Sequence, residues 1–318
     1  LGLQTGNCKK SLILHATVNV MKHLLLSTAC CIFFVLNTFS QQRVNDTTIL
    51  TSDSVQLYLK VSGKGTPCIF VHGGPGAWSR SFEAMGGNRL EEKLTMYYFD
   101  QRGSGRSKAA TNEDYSLDRL VKDIENIRSL TGSEQVYLVA HSFGGIPAFK
   151  YAEKYPQHVK GLILLNATLY IYNSLISQVN FINNLYGSHI SVANKDSLMQ
   201  SFFAAKKIMR EHKEDYKMLS DNKATVEKLD SIDNAPRDWT FAQRAFGIPD
   251  YLKDYTGETA KVKVPVLVIT GTNDHNIGPD HYKLFHFPHQ QVKVIKGGHV
   301  LYYEKNDDFA NAVFGFIK

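Results

Sequence analysis

The sequence predicts an α/β protein, a mainly parallel sheet flanked by helices and interrupted once by a helical insertion. Three observations carry that prediction. Short β-branched or aromatic runs alternate with longer helical patterns from residue 54 to residue 165. The alternation lapses over residues 167–262, where helical spacing continues without clear strands. It resumes at Val264 and runs to the end. A chain of 318 residues, 43% hydrophobic and 21% charged, can bury a sizeable core, which excludes a disordered chain or a coiled coil.

The elements follow in order. Val55 to Val61 reads as a strand, and Cys68 to Val71 as a second one after the Gly63-Lys64-Gly65 turn. Thr95 to Phe99 is the third. Asp118 to Leu130 places Leu120, Val121, Ile124, Ile127 and Leu130 on one face, the period of a helix. Gln135 to Ala140 is a strand, Phe143 to Tyr155 a helix stopped by Pro156, and Gly161 to Leu165 a strand. Beyond the insertion come a strand from Val264 to Thr270, a helix after Pro279, a strand from Gln291 to Ile295 and a closing helix from Asp307 to Ile317.

The first forty residues stand apart. They hold no Asp or Glu and contain Cys8, Cys30 and Cys31, three of the four cysteines. Met21-Lys22-His23 precedes an apolar run from Leu24 to Leu36, and Thr38 and Ser40 lie before Gln41, the layout of a secretory signal peptide. The run is shorter than the ~20 residues that cross a bilayer. Residues 1–40 therefore read as upstream sequence plus an export signal, with a mature, exported protein from residue 41 that has no stable membrane span. Cys68, inside an apolar run, reads as a buried, inert thiol. The net charge of +6 is spread without a basic block, which argues against nucleic-acid binding.

Four segments could carry chemistry. Ala140-His141-Ser142-Phe143-Gly144-Gly145 lies between a predicted strand and a predicted helix. A serine on such a turn is a nucleophile, and the turn needs small residues two before and two after it, here Ala140 and Gly144. His72-Gly73-Gly74-Pro75-Gly76 follows a strand and can aim the Gly74 N–H at an oxyanion, with the Phe143 N–H as second donor. His72 reads as a holder of that loop. Toward the C-terminus, Asp274 and His299 each follow a strand, so Ser142, Asp274 and His299 stand in the order nucleophile, acid, base. His275, His281, His286 and His289 compete as bases and Asp280 as the acid. The fourth segment, Asp100-Gln101-Arg102-Gly103-Ser104-Gly105-Arg106-Ser107, reads as a structural turn with an Asp100–Arg102 contact. No phosphate-binding glycine motif and no zinc motif is present, so no cofactor and no metal is implied.

Together these motifs resemble the α/β-hydrolase superfamily, and within it the prolyl aminopeptidase (proline iminopeptidase) family. The His72–Gly76 loop and the Asp100–Ser107 loop look like that family's hallmarks. Gly271-x-x-Asp274 and Gly298-His299-x-x-x-x-Glu304, with Phe309, look like the superfamily's triad segments. The resemblance covers about residues 54–165 and 262–318. It implies an α/β-hydrolase fold with a core of residues 41–166 and 263–318 and a helical cap of residues 167–262. It implies a Ser142–His299–Asp274 triad, an oxyanion hole at Gly74 and Phe143, and release of N-terminal proline or another residue from a small-molecule or short-peptide substrate. Family enzymes grip the substrate amine with cap acids, for which Glu211, Glu214, Asp215, Asp238 and Asp250 are candidates. An esterase, a lactonase or a C–C bond hydrolase of the same fold is the alternative, and a non-catalytic ligand-binding protein is the alternative of another class.

Overall fold

The computed structural model describes residues 47–317. The expected export signal and upstream stretch lie outside the described residues. Eight strands form one sheet in the order β1-β2-β4-β3-β5-β6-β7-β8. They are β1 (Thr47–Leu50), β2 (Gln56–Gly63), β3 (Thr66–Val71), β4 (Leu94–Phe99), β5 (Val136–His141), β6 (Val159–Leu165), β7 (Val266–Gly271) and β8 (Gln290–Ile295). The β1–β2 and β2–β4 pairs are antiparallel, and every pair from β4 to β8 is parallel. Central parallel strands are covered on both faces and read as continuous apolar runs, as β3, β5, β6 and β7 do.

Alternate residues of these strands feed two cores. Ile69, Val71, Leu138, Ala140, Leu162, Leu164, Val266 and Val268 face one layer. Cys68, Phe70, Val139, Ile163, Leu165, Leu267 and Ile269 face the other. The first is closed by α2 (Leu117–Leu130), through Leu120, Val121, Ile124 and Ile127, and by α3 (Gly145–Lys154), through Ile146 and Phe149. The second is closed by α1 (Ser79–Ala84), through Phe82, and by α9 (Asn306–Phe316), through Phe309 and Val313. Each such side chain contributes roughly 1.5–3 kcal/mol on burial. Ser116 caps α2 by accepting from the Arg119 N–H at 3.3 Å.

Between β6 and β7 the chain is helical, with α4 (Ile171–Tyr186), α5 (Lys195–Glu211), α6 (Lys223–Asp233) and α7 (Thr240–Ala245). Asn194 and Ser197 form a reciprocal capping box at the start of α5. After β8, α8 (Leu301–Glu304) precedes α9. No helix among the described residues is long and apolar enough to cross a membrane.

Two expectations need correction. The helix after Pro279 is only a 3-10 turn, His281–Leu284. Pro288 biases the residue before it toward extended backbone, and the His286 N–H is taken by the Thr259 hydroxyl at 2.8 Å. The Asp100–Arg102 contact does not form. Asp100 instead pairs with Arg106 at 2.8 Å, while Arg102 turns inward to Asp53 and Asp123 at 2.8 and 2.7 Å. Finally, β1 and α1 were not expected from the sequence, since both are too short to show a period.

Candidate active site

The predicted chemical residues are far apart in sequence, but each follows the carboxyl end of a parallel strand, where open α/β sheets place their ligand sites. The His72–Gly76 loop follows β3, Ser142 follows β5, Asp274 follows β7 and His299 follows β8. Parallel pairing therefore brings them to one edge of the sheet.

Ser142 occupies a left-handed backbone conformation, φ 57°, which costs a non-glycine residue about 1–3 kcal/mol. Its surroundings enforce the turn. A methyl group on Gly144 would lie 2.2 Å from the Val71 carbonyl oxygen, and one on Gly73 would lie 2.7 Å from Ser142 Cβ. Ala140 is fully buried, paired with Val71 of β3 and Leu164 of β6. The Ser142 carbonyl accepts from the Thr168 N–H at 3.1 Å. Phe143, next in sequence, packs its ring on Phe241 and Tyr251 of the insertion, with centroids at 5.8 and 5.2 Å.

Asp274 is fully buried and His299 nearly so. His299 Nδ1 lies 3.1 Å from both Asp274 carboxylate oxygens. Two backbone N–H groups, of Asn276 and Ile277, donate to Asp274 Oδ1 at 3.0 Å each. The other imidazole nitrogen, Nε2, lies 3.3 Å from Asn276 Nδ2. Gln178 Nε2 reaches Asn276 Oδ1 at 3.5 Å, which orients the Asn276 amide with its nitrogen toward the imidazole. A donor facing Nε2 requires that Nε2 be bare, so the ring proton sits on Nδ1 and is donated to Asp274. Among the described residues Ser142 Oγ makes no hydrogen bond, and His299 meets the elbow through His141. Those two rings are 4.5 Å apart, and His141 Nε2 donates to the His299 carbonyl at 3.1 Å. Burial, and then the nearby His299, hold the His141 imidazole well below its ordinary value, so it stays neutral.

His72 does hold its loop. Its Nε2 accepts from the Gln101 N–H at 2.8 Å, and Nδ1 donates to the Gly73 carbonyl at 2.9 Å. Gly74 has φ 114°, which only glycine adopts readily.

The competing residues are placed elsewhere. His275 stacks on Phe181 with centroids at 3.6 Å. His281 is buried, accepting from the Leu169 N–H at 3.1 Å, and His286 and His289 are exposed. Asp280 is exposed and pairs with Lys283 at 2.7 Å. The five cap acids all have partners: Glu211 has Lys207, Glu214 has Tyr186 and Lys217, Asp215 has Lys206, Asp250 has Lys253, and Asp238 accepts from the Thr240 N–H. Sequence reasoning missed Asn166. Its amide donates to the carbonyls of Gly298 and His299 at 2.9 and 3.0 Å and accepts from the Gly271 N–H at 2.8 Å, tying the two C-terminal loops together. An asparagine directly after a strand was the available signal.

Among the curated relatives, the proline iminopeptidase of Saccharolobus solfataricus is 27% identical over 277 residues, spanning 80% of this chain and 84% of that protein. That of Neisseria meningitidis serogroup A is 39% identical, but over 116 residues, 36% of this chain and 37% of that protein. The match to the Thermoplasma volcanium proline iminopeptidase likewise spans only 38% of its length. Among solved structures, a proline iminopeptidase-related protein from Thermus thermophilus superposes with a TM-score of 0.70 at 21% identity, covering 86% of this chain and 98% of that one. An esterase from Exiguobacterium antarcticum superposes with a TM-score of 0.64 at 18% identity, covering 85% and 98%. A family model described as alpha/beta hydrolase fold matches residues 66–306. With the strand order, the serine elbow and that match in agreement, the chain belongs to the α/β-hydrolase fold family.

Proposed function

We propose that this α/β hydrolase is a serine hydrolase whose triad is Ser142, His299 and Asp274, acting as an aminopeptidase on short peptides. The observation that carries the chemistry is the buried Asp274–His299 pair, at 3.1 Å, beside a serine held at φ 57°. Ser142 Oγ attacks the carbonyl carbon, and its proton passes to His299 Nε2. Asp274 keeps the imidazole oriented and stabilises the imidazolium. The N–H groups of Gly74 and Phe143 receive the oxyanion. His299 then protonates the leaving amine, and water, activated by the same imidazole, releases the acyl group. In the resting enzyme Asn276 occupies Nε2, so substrate must draw Ser142 and His299 together, a tightening common on substrate binding.

The substrate class rests on the two hallmark loops and on the proline iminopeptidase relatives. The second reading, an esterase, is favoured by the esterase neighbour and by the engagement of all five candidate cap acids in other contacts. The leader-like sequence of residues 21–40 supports export as the site of action. Assays of the protein and of Ser142→Ala on proline and alanine anilides, their N-blocked counterparts and short-chain nitrophenyl esters test the proposal. Turnover confined to free-amine anilides and reduced at least about a thousandfold in Ser142→Ala is expected. Ester turnover without anilide turnover would replace the aminopeptidase by the esterase. Full activity in Ser142→Ala would remove the mechanism.

A further inference from the structure

Arg237, between α6 and α7, is a cation with too few partners. Its side chain is 5% exposed, yet Nε and Nη1 are buried without a hydrogen-bond acceptor. The nearest carboxylate oxygen, Asp233 Oδ1, is 3.4 Å from Nη1, outside hydrogen-bond geometry. That oxygen is already taken: it accepts from Trp78 Nε1 at 2.7 Å and from the Ser81 hydroxyl. Buried guanidinium groups are ordinarily satisfied by paired acceptors, as Arg102 is in this protein.

The guanidinium lies against two indoles. It lies 3.8 Å from the Trp239 ring centroid and 5.1 Å from that of Trp78. An indole stacked on a guanidinium leaves its N–H edges as the part that can take a ligand. Nε and Nη1 belong to different edges, so a carboxylate that accepts two parallel N–H bonds pairs Nη2 with one of them, as Nε and Nη2 of Arg102 do on Asp123. The position is tied to the reaction site. Gly73 abuts Ser142 Cβ, and Gly76, three residues on, abuts Ala242 of α7. Trp78 lies two residues past that loop. The segment carrying Arg237 is pinned to the same edge by the reciprocal Gly105–Asp238 backbone pair, at 3.1 and 2.8 Å.

We infer that Arg237 receives a carboxylate of the substrate, so that the enzyme selects small substrates bearing a free acid. In the peptidase reading, on which this inference builds, that acid is the C-terminus of a di- or tripeptide. The preference would favour short free peptides over longer or amidated ones. Trp78 and Trp239 hold the guanidinium in place, and Asp233, 3.4 Å from Nη1, balances part of its charge.

The experiment is calorimetric binding to the Ser142→Ala protein, which removes turnover. The probes are L-prolylglycine against L-prolylglycinamide, and benzoate against benzamide. Each acid is expected to bind roughly tenfold tighter than its amide. Arg237→Gln should erase that preference, and Arg237→Lys, which keeps the charge but not the fork, should lose most of it. If Arg237→Gln fails to fold, Arg237→Lys carries the test alone. Equal binding of acid and amide, preference surviving both substitutions, or no binding of either acid overturns the assignment. Acid-selective binding of benzoate without binding of prolylglycine would uphold the carboxylate site and overturn the peptide reading instead.

Discussion

At Ser142, strain and crowding act together. The left-handed serine is held because the chain at Gly144 passes so near β3 that a Cβ there would sit 2.2 Å from the Val71 carbonyl oxygen. Gly144→Ala should therefore lower stability by about 1–3 kcal/mol and lower kcat as well, measured by urea melts and by turnover. Arg102 is the counterpart away from the chemistry. It is fully buried, binds Asp53 and Asp123 each with two N–H bonds, and also donates to the Asp114 carbonyl at 3.0 Å. The guanidinium holds the Asp53 carboxyl well below its usual range. Arg102→Met leaves Arg119 as the remaining cation beside Asp53 and Asp123 and should cost about 1–3 kcal/mol, read from chemical denaturation. None of these long-range partners was visible in the sequence. The turn from Asp100 to Ser107 was recognisable, but which charge faced inward depended on where α2 would pack.

Among the elements, strands were more legible than what lies between them. β3, β5, β6 and β7 announce themselves because a strand buried on both faces must be apolar throughout. β8 lies at the sheet edge, where Val292 and Val294 are exposed along with Lys293 between them. The stretch between β7 and β8 deceived, because Pro279 looked like a helix start while the structure spends those residues on holding His281. That side chain accepts from the Leu169 N–H, and its Nδ1 donates to Asn173 Oδ1 at 2.8 Å, clasping α4 to the loop after β7. Burial lowers its pKa from 6.5 to about 4, with Asp274 and Asp254 pulling the other way. A histidine depressed in the folded state binds its proton more readily when unfolded. Stability is thus complete above pH 6.5 and is lost as the pH falls toward 4, by up to about 3 kcal/mol. His281→Gln should flatten that part of the stability profile in urea melts between about pH 7 and about pH 4.5. An unchanged profile would mean that His281 is not its source.

For the whole molecule, the candidate site was legible because α/β topology gathers strand ends, so residues that follow strands in sequence come to one end of the sheet. The insertion was legible only as helices. Its role as a wall depends on tertiary contacts. Phe143 seats on Phe241 and Tyr251, the Phe241 N–H donates to the Gly103 carbonyl at 2.9 Å, and the His299 N–H donates to the Leu219 carbonyl at 2.8 Å. The Tyr251 hydroxyl donates to the Tyr115 carbonyl as well. Asn166 went unnoticed for the same reason, since its three hydrogen bonds join loops more than a hundred positions away in sequence.

Those joints have a kinetic consequence. An insertion fastened to the Ser142 turn, to the Gly103 turn and to the His299 loop cannot swing away without breaking those contacts. Turnover should then not wait on a large hinge motion, and kcat should stay flat as glycerol raises solvent viscosity. A kcat that falls in proportion to viscosity would show that opening or release sets the pace. Amide hydrogens of α7 should exchange with solvent as slowly as those of β5, because the wall and the sheet give way in one cooperative event.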